Sequence, residues 1–471
     1  MEASRHLPRV DVAMREGLEK VVPTDDTIVA IATPHGRSGI GVVRVSGGQS
    51  ESIANRLFRT QTSLAHRHSI PGHWMDANGN VIDEVVATLF KAPQTYTGED
   101  ILEISAHGNP LILDRIVGTI LQLGARRATA GEFTLRAVVN GKMDLIQAEA
   151  VRSFIDAQTD EQARTALLQI EGALSKKMRP AKEKLVDIIA RMEAGIDFAE
   201  DDVPPPNAAE IAEDIRQVDD ALKELQESYS YGKLLSEGLQ MAIVGKPNVG
   251  KSSLFNRFVG RDRAIVTNVP GTTRDVVSES ASLDGVPLTF FDTAGLRETE
   301  EVVERIGVER TVETLSTADL VLFVLDGSAA MDDLDRNIQA RIEKTPHITI
   351  INKCDLTQFT AAVVPGETSP IRVSAKTGEG FKDLQNAIRR FLGIRPEGVS
   401  TAIMTNARQF ESISGASRAL DKGRTSLLEG APQEMVLLDA YEALSHLNEL
   451  TGEVVAEDIL GRIFSTFCIG K

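Results

Sequence analysis

Leu239-Gln-Met-Ala-Ile-Val244 runs directly into Gly245-Lys-Pro-Asn-Val-Gly-Lys-Ser252, and an apolar-patterned helical stretch follows at once. Strand, GxxxxGK(S/T) turn and helix in that order make a phosphate-binding loop. Its glycines let the backbone curl until the N–H groups and the helix N-terminus face a polyphosphate. Lys251 brings positive charge to the β- and γ-phosphates and Ser252 brings a hydroxyl to magnesium, with Asn248, Val249, Gly250 and Ser253 completing the cradle.

Working outward, apolar runs at Leu239–Val244, Leu288–Phe291, Leu320–Leu325, Ile348–Ile351 and Ile371–Val373 alternate with helical patterns. That alternation predicts a Ras-like doubly wound sheet, and the chemistry falls at its strand ends. After Phe291 comes Asp292-Thr-Ala-Gly295, so Asp292, Thr293, Ala294 and Gly295 face the nucleotide; the carboxylate holds magnesium through water and the glycine N–H senses a γ-phosphate. After Ile351 comes Asn352-Lys-Cys-Asp355, and after Val373 comes Ser374-Ala-Lys376. Asp355 can accept from the N1–H and the exocyclic amine of guanine, whereas adenine would leave it desolvated and unpaired, so the base is guanine. Asn352, Ser374 and the Ala375 backbone close that pocket, with the stems of Lys353 and Lys376 on the ring faces.

Between the phosphate loop and Asp292 lies a polar switch segment, Thr267, Asn268, Val269, Pro270, Gly271, Thr272 and Thr273, whose Thr273 is the second magnesium ligand. Leu296 stands where Ras-type enzymes carry the glutamine that orients water. Another group must do that work, and Glu298, Glu300, Glu301 and Glu304 are the candidates, against the plain reading of an exposed charged face. No arginine finger is evident either. Asn248 and the carbonyls of Thr267–Thr273 could bind a monovalent cation, or Asn248 could simply brace the loop.

The 471 residues predict roughly three domains, and 42% hydrophobic with 25% charged residues is globular composition. A net charge of −17 opposes non-specific attraction to nucleic-acid backbones or anionic lipid, and 4% aromatics leave few platforms for base stacking. No apolar run is long enough for a membrane helix, so no membrane contact is expected. Cys354 and Cys468 make no disulfide framework, which fits a reducing, cytoplasmic setting. His66, His68 and His73 lack the partners of a zinc site, and Gly470 and Lys471 spoil a prenylation box at Cys468.

Texture divides the chain into a disordered leader at 1–24, an α+β domain at 25–142, a helical part at 143–237, the nucleotide domain at 238–395 and a second helical part at 396–471. The nucleotide domain is thus inserted in a discontinuous helical domain.

With these elements placed, the chain resembles the MnmE (TrmE) family of tRNA-modification GTPases over nearly all of 25–471. The likeness rests on Thr27-Ile-Val-Ala-Ile-Ala-Thr-Pro34, Gly39-Ile-Gly-Val-Val-Arg-Val-Ser-Gly47, Tyr96-Thr-Gly-Glu-Asp100, Gly131-Glu-Phe-Thr-Leu-Arg136, Asn140-Gly-Lys-Met-Asp-Leu-Ile-Gln-Ala-Glu-Ala150 and Cys468-Ile-Gly-Lys471. The resemblance implies an N-terminal domain that dimerises and binds 5-formyl-tetrahydrofolate or a related tetrahydrofolate, through Arg44, Glu103, Lys142 and Lys471. It implies a potassium site at Asn248, Thr267, Val269 and Thr272, Glu304 as the residue that activates water, and a part in the chemistry for Cys468. It further implies a homodimer joined by the flavoprotein MnmG in a heterotetramer that forms a 5-carboxymethylaminomethyl group on the wobble uridine of certain tRNAs. Two other readings are open: a GTP-dependent switch that assembles on ribosomal RNA, and a folate-dependent transferase with regulatory GTP binding.

Overall fold

A computed structural model describes residues 26–197, 207–261, 279–291, 318–358, 370–392, 403–454 and 457–470. Among them the chain forms two compact units. One draws on the residues up to Arg152, on Ile170–Asp219 and on Ser412 onward; the other draws on Ser153–Gln169 and Asp220–Glu411.

The first unit carries a seven-stranded sheet of β1 (Ile28–Ile31), β2 (Ser38–Ser46), β3 (Phe58–Arg59), β4 (Ser69–Met75), β5 (Val81–Phe90), β6 (Ile101–Gly108) and β7 (Arg126–Arg127), in the spatial order β3-β4-β5-β6-β2-β1-β7. Only β1 and β7 pair in parallel. Alternation along β2 and β6 sends Val43, Val45, Leu102 and Ile104 into a core shared with Trp74 and with Ile116, Val117 and Ile120 of the helix Pro110–Leu121. That helix starts cleanly: Asn109 accepts from the Leu111 N–H, and Pro110 takes a position whose N–H would have no partner. The register of β2 on β6 sets Arg44 opposite Glu103.

Helices Ala173–Asp197 and Ala208–Glu227 run antiparallel, since Arg191 pairs with Asp214 while the earlier Lys184 reaches the later Gln217. Val436, Ala440, Ala443 and Leu447 form the buried stripe of the helix Gln433–Thr451, at helical spacing, and that helix packs on Ala173–Asp197. No helix among the described residues is long and apolar enough to cross a membrane.

The second unit carries β8 (Leu239–Val244), β9 (Glu279–Leu283), β10 (Val286–Phe291), β11 (Leu320–Asp326), β12 (His347–Asn352) and β13 (Ile371–Arg372), in the order β13-β12-β11-β8-β10-β9. All pairs are parallel except β9 with β10. Central β11 is buried from Leu320 through Leu325, as expected for a strand covered on both faces. The strand order reverses beside β8, which lies between β11 and β10, and such a switch point is where ligands bind in sheets of this kind. Edge strand β9 was not among the strands expected from the sequence. It forms a hairpin through Asp284 and Gly285, both with positive φ, a two-residue turn that Asp-Gly favours.

Candidate functional site

The loop between β8 and the helix Lys251–Arg261 has the curl its glycines foretell. At Gly245 a Cβ would lie 2.3 Å from the Val324 carbonyl, and at Gly250, with φ +98°, it would lie 2.2 Å from Asn352 Nδ2. Neither position admits a side chain. The Lys251 ammonium donates to the Gly245 and Lys246 carbonyls at 2.9 and 2.7 Å, so it lies inside the loop, and burial lowers its pKa. Lys246 is drawn the other way, to Asp332 and Asp335 at 2.9 and 2.7 Å. Asn248 sits at positive φ and is exposed. Ser252 and Ser253 open the helix.

At the ends of β12 and β13 the residues expected to read the base come together. Asn352, 2% exposed, donates from Nδ2 to the Val249 carbonyl at 2.7 Å and accepts the Ala375 N–H on Oδ1 at 2.9 Å. One amide therefore fastens the phosphate loop to the Ser374–Lys376 loop. Lys353, at positive φ, pairs with Asp326 at 2.6 Å, which fixes its stem at the end of β11. The Ser374 hydroxyl donates to Asp355 and holds its carboxyl below the usual range, ready to accept two donors.

Sequence reasoning missed three residues that shape this site. Asp326 anchors Lys353, and its only signal was its place at a strand end. Lys246 varies freely within the loop pattern, so nothing flagged its link to Asp332 and Asp335. Arg257 donates to the Ala375 and Lys376 carbonyls at 2.8 and 2.6 Å from the phosphate-loop helix. Thr267, Asn268, Val269, Pro270, Gly271, Thr272, Thr273, Asp292, Thr293, Ala294, Gly295, Glu304 and Lys471 lie outside the described residues.

In the other unit, the Arg44 guanidinium meets the Glu103 carboxylate at 2.9 and 2.8 Å. It lies 5.9 Å from the Tyr96 ring centre and 5.8 Å from that of Phe133, a cation between two aromatic rings. The C-terminal segment reaches this spot. Gly470 offers its carbonyl to Arg44 at 3.4 Å, Ile469 bridges Ala130, and the backbone carbonyl of exposed Cys468 accepts the Gly131 N–H at 3.5 Å. A Cβ on Gly470 would come within 2.5 Å of the Ile31 carbonyl, so the tail passes flush against β1. Lys142 donates to Pro93 at 2.8 Å, at the start of the loop that carries Tyr96. Arg44 and Glu103 are thus brought together directly, and Lys142 is tied to the same loop.

Beneath them Arg136, fully buried, is met by Asp26, Glu99 and Glu132, with Arg126 shared between Asp26 and Glu132. Burial works against charge on Glu132, but Arg126, the Thr129 N–H and Arg136 outweigh it and hold the carboxyl below its ordinary range. At Glu99 burial wins over Ser46 and Arg136, and its pKa rises. This network fixes the loop of Tyr96 and the buried helix Glu132–Val139 on either side of Arg44.

Two family models match the chain: the MnmE helical domain over residues 145–468 and the GTP-binding protein TrmE N-terminus over 27–142. Three proteins named tRNA modification GTPase MnmE are similar along nearly their whole length. That of Koribacter versatilis is 46% identical, covering 95% of this chain and 99% of the relative. That of Aquifex aeolicus is 42% identical and that of Thermotoga maritima 40%, each over 95% of this chain and all of the relative.

Proposed function

The chain belongs to the MnmE family of tRNA-modification GTPases, and we propose that it is a cytoplasmic, potassium-dependent GTPase that acts on tRNA together with the flavoprotein MnmG. In this reading GTP hydrolysis drives formation of the 5-carboxymethylaminomethyl group on the wobble uridine. The observation that carries the nucleotide half is the Asn352 amide, which joins the phosphate loop to the guanine-reading loop in one buried hydrogen-bonded frame.

Residues of the chain divide the work. The loop 245–252 and Lys251 hold the phosphates, and Asp355 with the Ser374–Lys376 loop reads guanine. Ser252 and Thr273 would hold magnesium, which neutralises charge between the β- and γ-phosphates. Asn248, exposed and at positive φ, would hold potassium with Thr267, Val269 and Thr272, supplying the charge an arginine finger gives elsewhere. Glu304 takes the proton of the attacking water.

The N-terminal region, 25–142, serves as the folate-binding and dimerisation domain, and 143–237 with 396–471 as the helical domain around the inserted nucleotide domain, 238–395. Arg44 suits the glutamate tail or polar ring of a reduced folate, and Glu103 accepts from pterin nitrogens, with Lys142 and Lys471 in the same assignment. Cys468, on the tail that reaches Arg44, is the candidate for the modification chemistry.

The test pairs two measurements. GTP turnover is compared in potassium and in sodium, and wobble nucleosides are analysed in cells lacking the gene. Faster turnover in potassium and loss of the modified nucleoside are expected; equal turnover in both salts with unchanged nucleosides refutes the assignment.

A further inference from the structure

We propose that Arg257 is a positioning residue for guanine recognition, holding the 375–377 backbone so that the Lys376 N–H faces the O6 of the base. The inference deepens the GTP reading above and rests on it. Nε and Nη2 of one planar guanidinium donate to two successive carbonyls, Ala375 at 2.8 Å and Lys376 at 2.6 Å. A rigid fork of donors fixes two peptide planes at once, which a single point donor cannot do.

The consequence follows from peptide geometry. In a trans peptide the C=O and the following N–H point in opposite directions. Holding the Ala375 carbonyl toward the helix Lys251–Arg261 therefore turns the Lys376 N–H away from that helix. The neighbouring N–H groups are already committed: Ala375 donates to Asn352 Oδ1 at 2.9 Å and Thr377 to the Ser374 hydroxyl at 3.0 Å. Among the described residues no acceptor meets the N–H between them. It is the donor this loop has to offer, and guanine presents an acceptor at O6 where adenine presents an amine. Asp355 reads the opposite, donor edge, steadied by the same Ser374 hydroxyl that receives Thr377.

The loop and the guanidinium also pass closely: Gly378 has φ +92°, which by itself favours glycine, and a Cβ there would lie 2.4 Å from Arg257 Nη1. Because Arg257 stands on the helix that Lys251 opens, it also ties base reading to phosphate holding within one element.

The test measures binding of GDP, 6-thio-GDP and IDP to the full chain by calorimetry, for wild type, Arg257→Ala and Arg257→Lys. The thio analogue weakens the acceptor at position 6, whereas IDP lacks the 2-amino group read by Asp355. Arg257→Ala should weaken GDP about tenfold and cut the preference for GDP over 6-thio-GDP several-fold, with the preference over IDP kept within twofold. Arg257→Lys, which preserves charge and stem, should fall between and guards against a variant that does not fold. GTP turnover at saturation should stay within about twofold while KM rises. GDP affinity within twofold of wild type in both variants, or both preferences falling together, overturns the proposal. A wild-type protein with no preference for guanine sinks the underlying GTP reading instead.

Discussion

Replacing Asn352 with alanine removes two hydrogen bonds whose partners stay behind: the Val249 carbonyl and the Ala375 N–H. The site is closed, with Asn352 2% exposed and Val249 1%. A buried polar group left unpaired costs about 1–3 kcal/mol. Two such groups give about 2–6 kcal/mol, and the lower half applies because a water can enter the space the amide leaves. A cost of about 3 kcal/mol corresponds to a roughly 10²-fold weaker GDP complex, since each 1.4 kcal/mol is tenfold. The loss falls on binding to the extent that the two loops separate in the free variant, and on folding to the extent that they do not. The assay therefore pairs GDP titration with thermal unfolding. Asn352→Asp is the companion: it keeps the acceptor for Ala375 but turns a carboxylate oxygen toward the Val249 carbonyl, so it should be at least as damaging. GDP binding within threefold of wild type and an unchanged melting temperature in both variants would refute the bridge.

Asp355→Asn should shift preference from GTP toward XTP, because the amide donates where xanthine carries an oxygen; unaltered selectivity in competition binding contradicts the pocket. Glu304→Ala should slow hydrolysis by about 10²-fold while sparing nucleotide affinity, and normal turnover with weakened affinity would place the base elsewhere. For Glu132 the folded pKa lies below its ordinary value of 4.5, so its contribution is complete above that pH and is lost as pH falls through the folded pKa. Glu132→Gln should lower the unfolding midpoint at neutral pH and flatten the acid limb below about pH 4.5, read by denaturant titration across pH; an acid limb identical to wild type removes Glu132 from the network's titration.

The nucleotide unit was legible because each of its motifs couples a composition to a strand end. Gly245, Gly250, Asn352 and Ser374 are held there by contacts that allow little else. Edge strand β9 was overlooked although Asp284-Gly285 is a hairpin signal, since the run before it, Glu279-Ser-Ala-Ser-Leu283, is too polar to read as a strand. In the N-terminal sheet β4 was hidden by Pro71 and Gly72, which argue against a strand. The structure accommodates both. Pro71 lies where β3 does not reach, and a Cβ on Gly72 would come 2.4 Å from the Arg59 carbonyl. Arg257, Asp326 and the Arg136 network were illegible for a different reason. Their partners lie 119, 27 and up to 110 residues away, and no local pattern encodes a pairing at that distance. Arg44 and Glu103 stand apart again: resemblance singled them out, and the register of β2 on β6 sets them face to face.

The proposed coupling of GTP hydrolysis to wobble-uridine modification is tested by mass spectrometry of tRNA incubated with the purified chain, MnmG, GTP and a tetrahydrofolate donor. A carboxymethylaminomethyl mass at the wobble uridine that requires both GTP and potassium is predicted. Unmodified tRNA in the complete mixture, or modification that proceeds equally without GTP, would contradict it.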